Sequence, residues 1–269
     1  MPELPEVETV ARDLRRSVIG CRVTGMHIRE RRLRRGVALD LPVRLLGRTI
    51  TGAERRGKFL VLSLDGGGDL VVHLGMSGTL RVEPATALAR VHDHVRLDLD
   101  DGRHLVLNDP RRFGLFELAE DGHALSGRLG VDPSGEEFTA DRVRSLVRGR
   151  RRPIKSLLME QSLVAGLGNI YVNEILFHAG VRPGRAARRL TRAECDALVQ
   201  ATRVVLREAI RRRGSSISDF HDAAGNPGGF QDRFFVYARD GAPCRRCATL
   251  IRRSVHAGRS SFYCARCQR

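Results

Sequence analysis

Met1-Pro2-Glu3-Leu4-Pro5-Glu6-Val7-Glu8 runs directly into an apolar series, Val7, Val10, Ala11, Leu14 and Val18, that recurs at helical spacing. The spacing predicts an amphipathic helix with Pro2 and Glu3 at its leading end, stopped by Gly20. Proline is tolerated in a first helical turn, so an ordinary helix start is one reading. The other is chemical. A small penultimate residue allows Met1 to be trimmed, which leaves Pro2 as a free secondary amine. An α-amino group titrates near pH ~8, so part of it is unprotonated at neutral pH. Such amines attack carbonyl carbons and form Schiff bases. Glu3, one residue away, is placed to move protons at the same carbon.

Beyond Gly20 the pattern turns to strands: Cys21 to Ile28, Arg48 to Glu54, Lys58 to Leu64, Asp69 to Leu74, and Gly78 to Val82. His94 to Leu99 alternates apolar and polar residues, and His104 to Leu107 and Gly114 to Leu118 complete the set. Asp65-Gly66-Gly67-Gly68 and Asp101-Gly102 read as hairpin connections. Many short strands with little helix predict a β-sandwich or barrel. The pattern changes near Val131-Asp132-Pro133-Ser134-Gly135, the expected domain boundary. Helices are predicted over Ala140 to Val147, Pro153 to Glu160, Asn169 to Ala179 and Arg192 to Arg213. Ala165-Gly166-Leu167-Gly168-Asn169 joins two of them. It reads either as an ordinary helix corner or as a helix–turn–helix-like turn whose amides could hold a phosphate. Ser215 to Gly229 is polar and glycine-rich, the composition of a functional loop.

Of the 269 residues 42% are hydrophobic, enough for real cores, and no stretch approaches the roughly 20 apolar residues of a membrane span. Residues 1–20 carry charge throughout and lack an apolar signal core, so the expected compartment is the cytoplasm. The net charge is +16, and all of it lies in one half: residues 1–140 hold 21 basic and 21 acidic side chains, residues 141–269 hold 26 and 10. A basic half joined to a neutral one suggests a polyanion-binding region, with a merely solvated basic surface as the rival. Among 47 basic residues only Lys58 and Lys155 are lysines. A lysine kept against such an arginine bias suggests a need for a compact ammonium or an amine that can lose its proton, although chance survival would look the same.

Cys244-x2-Cys247 and Cys264-x2-Cys267, separated by sixteen residues, have four-thiolate zinc spacing. A segment this short cannot build a core that folds alone, so a metal has a reason to be there. Four thiolates leave no open position, which makes the expected zinc structural. Cys21 and Cys195 read as packing residues.

With Pro-Glu-Leu-Pro-Glu-Val-Glu at one end and a four-cysteine ribbon at the other, the chain resembles the bacterial formamidopyrimidine-DNA glycosylase family. The resemblance spans essentially the whole length. Between the ends, in the family's order, stand Arg56-Gly57-Lys58-Phe59-Leu60, His73-Leu74-Gly75-Met76-Ser77-Gly78, His92-Asp93-His94, Asp109-Pro110-Arg111-Arg112-Phe113-Gly114 and Gly166-Leu167-Gly168-Asn169-Ile170-Tyr171, with Arg259 to Cys264 inside the ribbon.

The resemblance implies a bifunctional glycosylase and lyase that flips oxidised purines such as 8-oxoguanine out of duplex DNA, excises them and cuts the strand by β,δ-elimination. By similarity Pro2 is the nucleophile at C1′, Glu3 the acid/base partner, Lys58 the lysine assisting β-elimination, and Arg259 a phosphate ligand linked to δ-elimination. Met76, Arg111 and Phe113 match void-filling residues. A thioether and an aromatic ring can wedge between bases, and a guanidinium can bond the orphaned partner base. Without that context Met76 and Phe113 would read as core. His92, Arg111, Arg150, Arg151, Lys155 and Asn169 look like DNA-backbone ligands. Metal binding at His92-Asp93-His94 is the rival, but neighbouring strand residues point to opposite faces. Glu174 resembles a residue supporting the active site. Ser218 departs from the pattern, standing where some relatives have a basic residue, which leaves the preferred lesion open.

The expected fold is α+β: an N-terminal β-sandwich with flanking helices over residues 1–131, a helix-two-turn-helix domain over 132–230, and a four-cysteine zinc-finger hairpin over 231–269. A monomer acting on damaged or abasic double-stranded DNA is expected, with the DNA between the domains. Two alternatives stand beside this. An endonuclease VIII-like enzyme for oxidised pyrimidines would usually begin Pro-Glu-Gly-Pro-Glu and lack Asp-Pro-Arg-Arg-Phe-Gly. A silent damaged-DNA binder would not need Pro2, Glu3 and Lys58 together.

Overall fold

The computed structural model describes residues 1–119, 125, 129–217 and 220–269. Its contacts divide the chain into two compact units, Met1–Ser126 with Arg212–Gly229, and Gly127–Arg211 with Phe230–Arg269.

The first unit begins with α1 (Leu4–Ser17). The helix starts three residues before its first apolar repeat because the Glu6 carboxylate reaches back and accepts the Glu3 backbone N–H at 2.8 Å. Its buried stripe is Leu4, Val7, Val10, Ala11 and Leu14. There follow β1 (Val23–Ile28), α2 (Leu41–Leu45), β2 (Ile50–Arg56), β3 (Phe59–Leu64), β4 (Asp69–His73), β5 (Thr79–Pro84), β6 (Asp93–Leu99), β7 (Arg103–Asn108) and β8 (Leu115–Ala119). The sequence pattern missed α2, whose five residues are too few to show a period.

The strands make two four-stranded sheets, β1-β6-β7-β5 and β2-β3-β4-β8. Every described pairing in them is antiparallel. Leu60, Leu62 and Val72 of one sheet share a core with Leu80, Leu97 and Leu107 of the other, with Val10 and Leu14 of α1 and with Leu41 and Leu45 of α2. This is the expected sandwich, and each fully buried side chain contributes roughly 1.5–3 kcal/mol.

Arg212–Gly229 follows the helices in sequence but belongs to the sandwich unit. Phe220 and Ala223 enter the sandwich core. Arg213 donates to Asp13 Oδ2 at 2.5 Å and to Asp222 Oδ2 at 2.7 Å.

The second unit contains α3 (Ala140–Val147), α4 (Ile154–Leu158), α5 (Asn169–His178), α6 (Arg192–Arg211) and the antiparallel hairpin β9 (Ile251–His256) and β10 (Arg259–Cys264). Thr139 caps α3 by accepting the Arg142 N–H. Residues Ile170 to Phe177 of α5 are all buried, as befits a helix covered on every side. It packs on α6, α4 and β10. Phe177 also joins Val236, Ile251, Phe262, Cys244 and Cys264 in the hairpin's small core. Among the described residues no helix is long and apolar enough to cross a membrane.

Candidate functional site

Pro2 and Glu3 sit buried at the N-terminus of α1, with Glu3 2% exposed. Lys58 (6% exposed) occupies the two-residue turn between β2 and β3, where Gly57 takes φ +60°. Arg55 fastens this turn to α1: its guanidinium donates to Glu8 Oε2 at 3.1 Å and to the Gly57 carbonyl at 3.3 Å. The elements carrying Pro2, Glu3 and Lys58 thus share one unit and a direct ion-pair link.

Glu6 is the residue that sequence reading passed over. It is 1% exposed, and its two oxygens serve different segments. Oε2 holds the Glu3 N–H, while Oε1 accepts the Ser215 N–H at 2.7 Å and the Ser215 hydroxyl at 3.1 Å. One carboxylate therefore ties the base of the loop to the first turn of α1. Gly214 allows the approach, because a Cβ there would lie 2.7 Å from Glu6 Oε1. The signal in the sequence was the Glu3-x-x-Glu6 spacing of a capping box; nothing local pointed to Ser215. Ser218 lies outside the described residues.

Met76 (39% exposed) and Phe113 (47%) project outward, not into the core that their apolar character alone would suggest. Arg111 is exposed and places its guanidinium 4.8 Å above the Phe113 ring. His92 is exposed in a left-handed conformation, φ +74°. Its carbonyl accepts the Asp109 N–H. Behind Met76, His73 Nδ1 accepts the Gly75 N–H at 2.9 Å.

In the second unit Arg150, Arg151 and Arg259 are exposed, and Asn169 is half-buried at the start of α5. Arg259 follows the two-residue turn Ala257-Gly258, both at positive φ, as a tight hairpin requires. Lys155 differs from the expectation of a backbone ligand. It is 1% exposed, and its ammonium donates to the Ser260 carbonyl at 2.5 Å and the Ser261 hydroxyl at 2.9 Å. That hydroxyl is also 2.8 Å from His256 Nδ1. The lysine is an internal tie that steadies the strand carrying Arg259.

Two neighbouring residues of α5 hold the ribbon. Asn173 Oδ1 accepts the Phe262 N–H at 2.8 Å, and Glu174 accepts the N–H groups of Phe235, Val236 and Tyr237 at 2.8–3.0 Å. Burial pushes the Glu174 carboxyl above its usual range, against the pull of those three donors. Gln161, also unread in sequence, shapes the turn before α5 by accepting the Gly166 N–H and donating to the Met159 and Leu167 carbonyls.

The four ribbon cysteines bring their sulfurs within 4.8 Å of one another, the metal-competent cluster among the described residues. Sulfur pairs stand at 3.4 and 3.9 Å. Tetrahedral zinc with bonds of about 2.3 Å needs sulfurs roughly 3.8 Å apart, so the donor set fits one ion. Hydrogen bonds from Thr249 hold Cys247 down at about 6, which favours a thiolate.

Two histidines give a pH signature. Burial, helped by the charges of Arg34 and Lys58, lowers His73 to about 4. Burial, with Arg246, lowers His178 to about 4. Both are neutral in the folded chain while the unfolded chain protonates near pH ~6.5. Stability is therefore complete above pH ~6.5, falls as pH drops, and levels below pH ~4, at up to ~3 kcal/mol for buried His73 and less for His178, which solvent partly screens. Urea midpoints measured from pH 7 to 4 are expected to fall less steeply for His73→Gln than for wild type. Parallel curves would remove His73 from this account.

Comparison with known proteins covers the whole chain. Residues 1–116 match the family model for the formamidopyrimidine-DNA glycosylase N-terminal domain, 129–221 that for its H2TH domain, and 241–269 that for a zinc finger found in FPG and IleRS. The chain is 48% identical over 272 residues to the formamidopyrimidine-DNA glycosylase of Thioalkalivibrio sulfidiphilus and 49% to that of Thiobacillus denitrificans, each covering 100% of both chains. The crystal structure of MutM (Fpg) from Thermus thermophilus is similar at TM-score 0.87 and 41% identity, covering 99% of this chain and 98% of that one. A complex of Lactococcus lactis Fpg with DNA containing an abasic site is similar at TM-score 0.92 and 34% identity, covering 99% of both.

Proposed function

The chain belongs to the formamidopyrimidine-DNA glycosylase family and is a zinc-bearing DNA glycosylase and abasic-site lyase of base excision repair; on that premise we propose that Pro2, once Met1 is removed, is its nucleophile. The Pro2 nitrogen adds to C1′ of the damaged nucleotide as the bond to the base breaks, and the proton the nitrogen sheds is taken up by the departing base. The C1′–O4′ bond then opens, its electron pair going to O4′, which takes a proton from the Glu3 carboxyl. An iminium between Pro2 and the sugar results. Loss of a C2′ proton expels the 3′ phosphate, with Lys58 assisting, and a second elimination through C4′ expels the 5′ phosphate, with Arg259 on the phosphate. Hydrolysis of the imine frees the enzyme.

The observation that carries this reading is the burial of Pro2 and Glu3 together at the head of α1 in the unit that also buries Lys58. A group excluded from water strengthens the electrostatic interactions that move protons. Oxidised purines in duplex DNA are the proposed substrate. Flipping the base costs a few kcal/mol, and Met76, Arg111 and Phe113 are exposed at turns suited to fill the hole. His92, Arg150, Arg151 and Asn169 bind the backbone in this reading, with Lys155 acting through the ribbon. The protein works as a monomer on cytoplasmic DNA, and 1–131, 132–230 and 231–269 are its functional modules.

Borohydride reduction on duplexes carrying 8-oxoguanine opposite cytosine, dihydrothymine or an abasic site tests it, with peptide mapping of the adduct. A covalent adduct at Pro2 with the oxoguanine duplex is expected. An adduct mapped to Lys58 would overturn the nucleophile, preference for dihydrothymine would overturn the substrate, and no adduct on any duplex would overturn the chemistry.

A further inference from the structure

The turns that carry Met76 and Phe113 touch backbone to backbone. A Cβ on Gly75 (φ +63°) would stand 2.6 Å from the Phe113 carbonyl carbon and 2.7 Å from the Gly114 nitrogen. A Cβ on Gly114 would stand 2.9 Å from the His73 carbonyl oxygen and 2.9 Å from Asp109 Oδ2. No side chain separates the two turns, so neither can shift without the other. The Met76 turn is closed by the Gly78 N–H on the Leu74 carbonyl at 2.9 Å.

Asp109 stands behind both. It is 0% exposed, and its Oδ2 accepts the Gly114 N–H at 2.7 Å. Its carbonyl accepts the Arg112 N–H at 3.1 Å and lies 3.0 Å from His94 Nε2. Its own N–H is given to the His92 carbonyl at 3.0 Å. Arg112 and His92 both hold positive φ, +57° and +74°, which non-glycine residues adopt only when surroundings impose it. One carboxylate oxygen, Oδ1, is buried with no hydrogen-bond partner among the described residues. Burying a carboxylate so poorly solvated is unfavourable, and strained, under-satisfied groups concentrate where geometry serves function.

We propose that Asp109 is a positioning residue that sets the Met76 turn and the Arg111–Phe113 turn as one preorganised wedge and holds the adjoining His92. The proposal rests on the reading that these residues enter and grip DNA. Asp109 does not touch substrate in this account; it acts through the Gly114 N–H. Without the carboxylate that N–H is left buried and unpaired, and the Phe113 turn relaxes, carrying Met76 with it through Gly75. The nucleophile and Lys58 are untouched.

The test compares two substrates in wild type, Asp109→Ala and Asp109→Asn. Duplex DNA with 8-oxoguanine needs the wedge; a single-stranded oligonucleotide with a preformed abasic site needs only the imine chemistry. For Asp109→Ala, excision from the duplex is expected to fall about 100-fold, the scale at which small misplacement of positioning groups acts. Strand cleavage on the single strand should stay within a few-fold. The fluorescence of 2-aminopurine next to the lesion should report weaker unstacking on binding. Asp109→Asn retains an acceptor for the Gly114 N–H and should recover most duplex activity, which also guards against misfolding of the alanine variant. Equal losses on both substrates, full duplex activity in Asp109→Ala, or an asparagine variant as impaired as alanine would each overturn the proposal. Wild type inactive on the single strand would instead overturn the imine chemistry.

Discussion

Protein that keeps Met1 is expected to yield no borohydride-trapped adduct with abasic-site DNA, and its strand cleavage should fall by at least about 1,000-fold. With Met1 in place the Pro2 nitrogen is an amide. Its lone pair is delocalised into the carbonyl, as the partial double bond of a peptide shows, and cannot attack C1′. Trimming restores a secondary amine titrating near pH ~8, whereas a lysine amine titrates near ~10.4, so the terminus has the larger neutral fraction at pH 7. Pro2→Gly is the informative companion. A trimmed glycine offers a primary amine and should retain measurable imine formation, reduced because a flexible residue replaces a rigid ring just ahead of the Glu3 cap of α1. Mass spectrometry of the intact chain establishes the state of the terminus before each assay. Undiminished activity in protein proven to carry Met1 would place the nucleophile elsewhere, with Lys58 the next amine in the same unit.

Removal of zinc should be nearly as severe, at the other end of the chain. The hairpin β9–β10 is a two-stranded ribbon, and such a pair is marginal alone. Its core is a few side chains, Val236, Ile251 and Phe262 packed on Phe177. Four thiolates around one ion supply what that core cannot, since structural zinc contributes about 10–16 kcal/mol in small fingers. On chelation, or in Cys264→Ser, amide exchange is expected to accelerate throughout 241–269. The bonds from Asn173 to Phe262 and from Lys155 to Ser260 should be lost with the ribbon. Arg259 then loses its rigid support, and affinity for abasic-site duplex should fall about 100-fold or more, the cost of releasing a preorganised charge-bearing element. The sandwich unit should keep its exchange protection, because its core contains no ribbon residue. Unchanged DNA affinity after demonstrated zinc loss would show that the ribbon does not support binding.

Much of this was legible in one dimension. The two-residue alternation of His94 to Leu99 and the glycine turns placed β6 and its neighbours, because a half-buried strand must alternate. The cysteine spacing announced the metal, since ligand reach is a local property. Residue types at the N-terminus carried their own chemistry. The sequence pattern failed where a period had no room to appear, as in α2; for Met76 and Phe113 residue type alone pointed to a core, and only the motif context made them void-filling candidates. Lys155 stood out in the sequence as a lysine kept against an arginine bias, but only the folded chain shows its ammonium inside the second unit on two hairpin oxygens.

Sequence by itself thus determined most of the elements, the zinc ligands and the chemical candidates, because each depends on residue type and near spacing. Tertiary structure decided who holds whom. Glu6 grips Ser215 across 209 positions, Arg213 grips Asp13 across 200, and Asp109 supports a turn whose partner glycine lies in the β4–β5 crossover between the two sheets. A buried carboxylate must find donors wherever packing leaves an N–H without water, and that place is fixed by the folded backbone, not by distance along the chain.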